Sequence, residues 1–362
     1  MKFAEHFDHA DEMMAVVTTG EGGFDKLEYR TVPMPQLAEG DVLIKVLAAG
    51  INNTDINTRL GWYSRTVTEA TDETSDDDDD KQGDGGWAGE TPFPLIQGTD
   101  CCGLVVGCAN DQDSHLLNKR VLVRACMRPK GFTSYEMTWM ASNFDGAFAE
   151  YVCVPAVEVF AIDCDWRDEE LATIPCAYAT AETMLERARC TDKDRVLITG
   201  ASGGVGSAAI QLAKRRGAYV IGITSADKEQ AVKALGCDEV FLRNAPIDQY
   251  LADKPATIVM DNVAGAQFGM MLNCLGPGGR YTSSGAIAGP VVSLDMRDLY
   301  LKDITMFGST AWDEPVFGNL VRYIEAGDIR PILAASYPLS QIVDAQRYFM
   351  KKSHIGNVVL VP

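Results

Sequence analysis

Histidine is scarce: His6, His9, His115 and His354 are all the chain holds in 362 residues. A histidine-built metal centre therefore has little to draw on. Positive charge is also short. Thirty-two Lys and Arg stand against 51 Asp and Glu, a formal net charge of −19. Such a surface repels phosphate backbones and anionic lipid, so no nucleic acid and no membrane is expected as a partner. No apolar run is long enough to span a bilayer. The first residues carry neither a basic stretch nor an apolar core, so no secretory signal is read there. The ten cysteines then read as reduced thiols of a cytoplasmic protein, not as a disulfide scaffold.

What is present suits two domains of ordinary globular composition. Residues 1–13 read as a polar extension. Ala15–Thr18, Asp41–Ala48, Cys102–Val106, Arg120–Ala125 and Gly146–Pro155 then read as strands with few helix signals between them. Near Asp168 the rhythm changes. Strands at Arg195–Thr199, Tyr219–Thr224, Glu239–Leu242, Thr257–Met260 and Arg280–Ser283 alternate with helical spacing at Val205–Arg216 and Lys228–Leu235. That alternation predicts an α/β fold with a doubly wound parallel sheet beside a β-rich domain. Helical spacing returns at Pro315–Ala326 and Ser340–Lys351, and Asn357–Val361 reads as a last strand. Residues 66–90 stand apart as an acidic, glycine-rich insertion with five consecutive aspartates, Asp76 to Asp80. Like charges that bury nothing make a solvated loop.

The strongest motif is Gly200-Ala201-Ser202-Gly203-Gly204-Val205-Gly206. It follows a predicted strand and opens a predicted helix. In that setting glycines allow a tight turn, and main-chain N–H groups of Ser202, Gly203, Gly204, Val205 and Gly206 approach a pyrophosphate at the helix start. The competing reading is an ordinary α/β turn. The end of the second strand bears on the cofactor. An NAD-selective site usually has an acid there; this chain has Ser225, with Lys228 one turn onward. A hydroxyl and an ammonium suit a 2′-phosphate, so NADPH is favoured and NADH stays possible. Asp227 would oppose a phosphate, and Lys228 reads equally well as a solvated helix residue.

Four segments together resemble the medium-chain dehydrogenase/reductase superfamily: Ala49–Asp55, Gly98-Thr99-Asp100, the glycine turn, and His354–Pro362. The resemblance runs from Met14 onward. It implies a GroES-like catalytic domain from residues 1–162 and 312–362 and a Rossmann domain from 163–311. Zinc members carry a cysteine after the first Gly-Ile and a His-Glu pair after the second glycine. Here Asn52 stands in the first place and Thr99-Asp100 in the second, so no metal is expected. The zinc-independent branch that this pattern resembles is quinone oxidoreductase, the ζ-crystallin type. It implies NADPH-dependent hydride transfer to a quinone, or to the activated double bond of an enone or enoyl substrate.

The same resemblance implies roles for single residues. Asn52 would lie beside the nicotinamide, Asp55 would organise the site, and Tyr63 would meet the substrate carbonyl. A turn-forming Asn52 and a purely aromatic wall at Tyr63 are the plainer readings. Thr180, Asn262, Val263, Ser284, Gly285 and Asn357 would contact the cofactor, Thr180 alternatively bonding its own helix. A homodimer is implied, through strands around Val291–Leu294 and Asp303–Phe307. Two other functions stay open. One is alcohol or aldehyde redox with a metal on unusual ligands such as Asp100 and Cys101. The other is a non-catalytic dinucleotide-binding protein.

Overall fold

The structure is a computed structural model that describes residues 1–5, 7, 10–71 and 90–362. The aspartate run of the acidic insertion lies outside the described residues. Two large sheets carry the fold. The first has eight strands. Its main path runs Val159–Ala161, Arg120–Val123, Cys102–Cys108, Asp41–Ile51, Asn357–Val361, Leu333–Pro338. Asp41–Ile51 is its backbone: Lys45 alone is fully exposed along its eleven residues, because neighbours cover both faces.

The second sheet has six strands, ordered Glu239–Leu242, Tyr219–Thr224, Arg195–Ile198, Ala256–Met260, Leu275–Ser283, Thr305–Gly308. Every pairing in it is parallel. The chain winds outward one way from Arg195–Ile198, then returns and winds the other way from Ala256–Met260. That reversal opens a crevice beyond the carboxyl ends of the two central strands, where ligands bind in such sheets. The expected α/β architecture, a β-rich part with a doubly wound parallel sheet, is the one observed.

The last strand joins the distant halves of the sequence. Val358 pairs with Ile51 and Leu360 with Ala49, antiparallel. The chain end is thereby sewn into the first sheet beside the segment leading to Asn52. Aromatic packing helps to hold the Glu314–Glu325 helix: Trp312 meets Trp139 edge-on at 5.0 Å and stacks on Phe317.

Two expectations need correction. Residues 1–13 are not simply a polar extension. Lys2 and Phe3 pair with Cys108 and Gly107, and a strand begins at Glu12. Two-residue pairing leaves no periodicity to read. Val291–Leu294 forms no strand; it runs unpaired, with Val291 70% exposed, into a short helix at Met296–Tyr300. Pro290 interrupts the approach, and the β-branched pattern finds no neighbouring edge. Thr305–Gly308, by contrast, is the outermost strand of the parallel sheet. Among the described residues no helix is long and apolar enough to cross a membrane.

Candidate active site

The glycine turn sits at the crevice. Gly200 takes φ +58°, a left-handed conformation that favours glycine. The helix Gly204–Arg215 starts directly after it, with Gly203 as N-cap. An added Cβ at Gly206 would lie 2.2 Å from the Gly200 carbonyl oxygen. An added Cβ at Gly204 would lie 2.1 Å from Asn357 Oδ1. The backbone at Gly204 and Gly206 is thus packed to the limit from within, while Gly203 to Gly206 line the crevice. That arrangement fits the pyrophosphate of a dinucleotide.

The C-terminal tail buttresses the turn. Gly356 N–H donates to the Ser202 carbonyl at 3.0 Å. Asn357 is buried, and its amide donates to the Thr173 carbonyl at 3.1 Å. Its side chain therefore supports the turn from behind.

A cleft of about 1030 Å³, open to solvent, runs from the turn toward the first sheet. Asn52, Tyr63, Thr180, Gly203 to Gly206, Asn262, Val263, Ser284 and Gly285 all line it. The structure thus brings most of the expected residues together. Asn262 Oδ1 accepts from both the main chain and the hydroxyl of Ser284, at 3.1 and 2.7 Å, which locks those two loops to each other. Trp139, Thr54, Asn57, Cys176, Ile287, Ser309 and Thr310 also line it. Sequence reasoning did not name these as site residues. Thr54 and Asn57 come from the Asn53–Arg59 helix, Cys176 from the Pro175–Arg187 helix and Trp139 from a two-residue strand, so the wall is gathered from distant elements.

Ser225 and Lys228 lie away from the cleft lining. Ser225 caps a short turn. Lys228 is buried, and its ammonium donates to the main-chain carbonyls of Lys352 and His354. It is therefore not a solvated helix residue: it ties the second strand's end to the tail. Burial lowers its pKa. His354 beside it is pushed down to about 4, by burial first and by the Lys352 and Lys228 charges next.

At the other end, Asn52 ends the Asp41–Ile51 strand and caps the helix Asn53–Arg59. Asp55, in the first turn, closes the cap: its Oδ2 accepts the Asn52 main-chain N–H at 2.8 Å. Its Oδ1 accepts the Gly98 N–H at 3.2 Å. Asp55 lies beneath the cleft, and burial lifts its carboxyl to about 7. The Asn52 side-chain amide donates to Asp100 Oδ2 at 2.8 Å and to Thr99 Oγ1 at 3.4 Å. Asp100 is fully buried, and its carboxyl is raised to about 8 by that burial. Tyr63 bonds to the Thr54 and Asn57 side chains, and burial lifts its phenol to about 12. The Cys176 thiol is also raised by burial and stays protonated.

These donors do not fit a catalytic zinc. Amide and hydroxyl groups are poor zinc ligands beside thiolate, imidazole and carboxylate. Both Asp100 oxygens are already taken, one by Asn52 and one by the Cys176 main chain. Among the described residues no three His, Cys, Asp or Glu side chains gather as a metal site requires.

Two family models match the chain: the alcohol dehydrogenase GroES-like domain over residues 38–163 and the zinc-binding dehydrogenase domain over residues 204–326. The crystal structure of a candidate alcohol dehydrogenase from Sinorhizobium meliloti 1021 is 41% identical. It superposes with a TM-score of 0.88, covering 98% of this chain and 97% of that one. Acryloyl-coenzyme A reductase of Metallosphaera sedula is 26% identical over 96% of this chain and 99% of its own. Quinone oxidoreductase of Lama guanicoe is 27% identical over 96% and 97%. The chain therefore belongs to the medium-chain dehydrogenase/reductase superfamily, as an NAD(P)H-dependent oxidoreductase with quinone oxidoreductase-like relatives.

Proposed function

We propose that this protein uses NADPH to reduce the activated double bond of an enone or enoyl thioester, or a quinone, without zinc. One observation carries the reading: Asn52 and Asp100, at the motif positions where zinc members of the family carry metal ligands, are joined to each other by a hydrogen bond of 2.8 Å. Without a Lewis acid, alcohol oxidation loses its main electrostatic support. A conjugated acceptor already has an electrophilic carbon, so positioning and one hydrogen bond suffice. The reductase and quinone oxidoreductase relatives act on such acceptors by name.

The nicotinamide cofactor supplies a hydride when bound. Main-chain N–H groups at the start of the Gly204–Arg215 helix bind its pyrophosphate. Thr180, Asn262, Val263, Ser284 and Gly285 shape the nicotinamide end of the cleft. Ser225 in place of an acid favours a 2′-phosphate, with NADH accepted less well. Tyr63, held protonated by burial, donates a hydrogen bond to the substrate carbonyl oxygen as charge builds there. Asn52 orients the reacting groups from the same wall, and Asp55 holds Asn52. Trp139 and Ile287 supply apolar walls. A homodimer fits the exposed apolar edge of Val291, Met296, Tyr300 and Leu301 beside the outermost strand.

The test is an acceptor panel of quinones, enones and enoyl thioesters, run with NADPH and NADH, together with metal analysis. NADPH consumption by at least one electron-poor acceptor, with substoichiometric zinc, is the expected result. Turnover of none of them would sink the reading. The Sinorhizobium relative's description keeps alcohol or aldehyde redox as the second reading. Stoichiometric, tightly held zinc would favour it.

A further inference from the structure

We propose that Asp100 is the positioning residue of the cleft, holding the Asn52 side chain and the start of the Pro175–Arg187 helix in one fixed relation. The idea rests on the reading above, in which Asn52 works at the reacting end.

The geometry is specific. Asp100 Oδ2 accepts from Asn52 Nδ2 at 2.8 Å, and Oδ1 accepts the Cys176 main-chain N–H at 2.6 Å. Cys176 lies in the first turn of the Pro175–Arg187 helix, which also carries Thr180 to the cleft. Asn52 ends a strand of the first sheet. One buried side chain therefore joins the two walls between which cofactor and substrate must fit. It has no room to move: a Cβ on Gly50 would lie 2.5 Å from Asp100 Oδ2 and 2.6 Å from the Ala172 carbonyl. Glycine at 50 is what admits the carboxyl group.

A terminal amide turns easily about its last torsion, and its two ends differ in kind: one donates, the other accepts. A free Asn52 would present either end to the cleft. Asp100 removes that choice. When ionised, it accepts the Asn52 amino group. With the amino group held by Asp100, the Asn52 carbonyl is the end left for the cleft.

The decisive variant is Asp100→Ser. A serine hydroxyl is a single, shorter group that cannot span both partners, so the bridge between the two walls is cut. We expect kcat to fall about ten-fold, the scale of one misplaced hydrogen bond. The same change in an Asn52→Ala background should cost under about two-fold, since Asp100 acts through Asn52. Asp100→Asn, whose one oxygen keeps the Cys176 N–H and whose NH2 then faces Asn52, holds the amide the other way round and should lower kcat about as far as D100S. NADPH affinity, read from its fluorescence on binding, should stay within about three-fold throughout.

Effects of D100S and N52A that multiply would overturn the proposal, as would unchanged kcat in D100S. A further readout needs no turnover. The Asn52 side-chain amide should give one sharp, exchange-protected proton–nitrogen pair in the wild-type apoprotein, broadened or shifted in D100S. An unaltered signal would also overturn it. If that signal moves but no acceptor is turned over by the wild type, the proposed function fails while the positioning role stands.

Discussion

The two ends of the cleft are built in opposite ways. The proposed phosphate end is one contiguous stretch, Gly200–Gly206, whose chemistry is main-chain N–H and where Gly204 and Gly206 leave no room for a side chain. The reacting end is assembled from a strand end at Asn52, a loop at Thr99-Asp100, a helix start at Cys176 and a separate aromatic at Tyr63. Its chemistry is side-chain and depends on contacts between residues dozens of positions apart. The first should therefore fail by steric exclusion and lose binding. The second should fail by misorientation and lose turnover.

The sharpest break in that contrast is Gly206→Val. The new Cβ would collide with the Gly200 carbonyl oxygen at 2.2 Å, and the turn must open. NADPH affinity should drop by at least about 100-fold, near 3 kcal/mol. Fluorescence titration checks this, with thermal unfolding to report any wider loss.

Tyr63→Phe probes the opposite end. Removing a hydrogen-bond donor from the developing oxyanion should lower kcat by about 100-fold. NADPH binding should hardly change, because the substitution leaves the glycine turn untouched. A matching loss in both would mean that the two ends are not separable.

Cofactor choice offers a smaller effect. Ser225→Asp puts a carboxylate where the adenosine ribose ends, and should shift kcat/KM toward NADH by about ten-fold. Steady-state rates with both cofactors measure it. No shift would mean that Lys228, engaged with the Lys352 and His354 carbonyls, plays no part and that selectivity lies elsewhere.

The gentlest test is pH. Burial raises Asp55 to about 7 and Asp100 to about 8. In the unfolded chain both return to the usual carboxylate range near 4. Between those values the folded protein binds more protons than the unfolded one. Stability should therefore fall as pH rises from about 4 to about 8, then level off. Urea midpoints across that range measure the slope, and Asp100→Asn should flatten its upper part. The glycine turn, with no titrating group, contributes nothing to it.

The same contrast explains what could be read in advance. The parallel sheet was legible because Arg195–Ile198, Tyr219–Thr224 and Ala256–Met260 each carry a local apolar pattern. The glycine turn was legible because strand, turn and helix follow one another directly. Asn52 and Tyr63 were found by resemblance, not by periodicity. Trp139, Cys176 and Thr310 were not named as site residues, although Cys176 lies only four positions from Thr180, because which side chains of a segment reach a cleft depends on the packing around it. Lys228 was read for its charge, yet its burial against the tail depends on residues more than a hundred positions away.

Local backbone requirements are written locally, so the chain's own order of residues determined the two sheet types and the tight glycine turn. Hydrogen bonds between side chains depend on distances that folding alone sets. Only the tertiary structure decided that Asp100 would grip Asn52, that the chain end would brace the turn, and which loops would close the cleft. The physical reason is range: a turn needs its neighbours, whereas a catalytic wall needs partners that meet only after both sheets have packed.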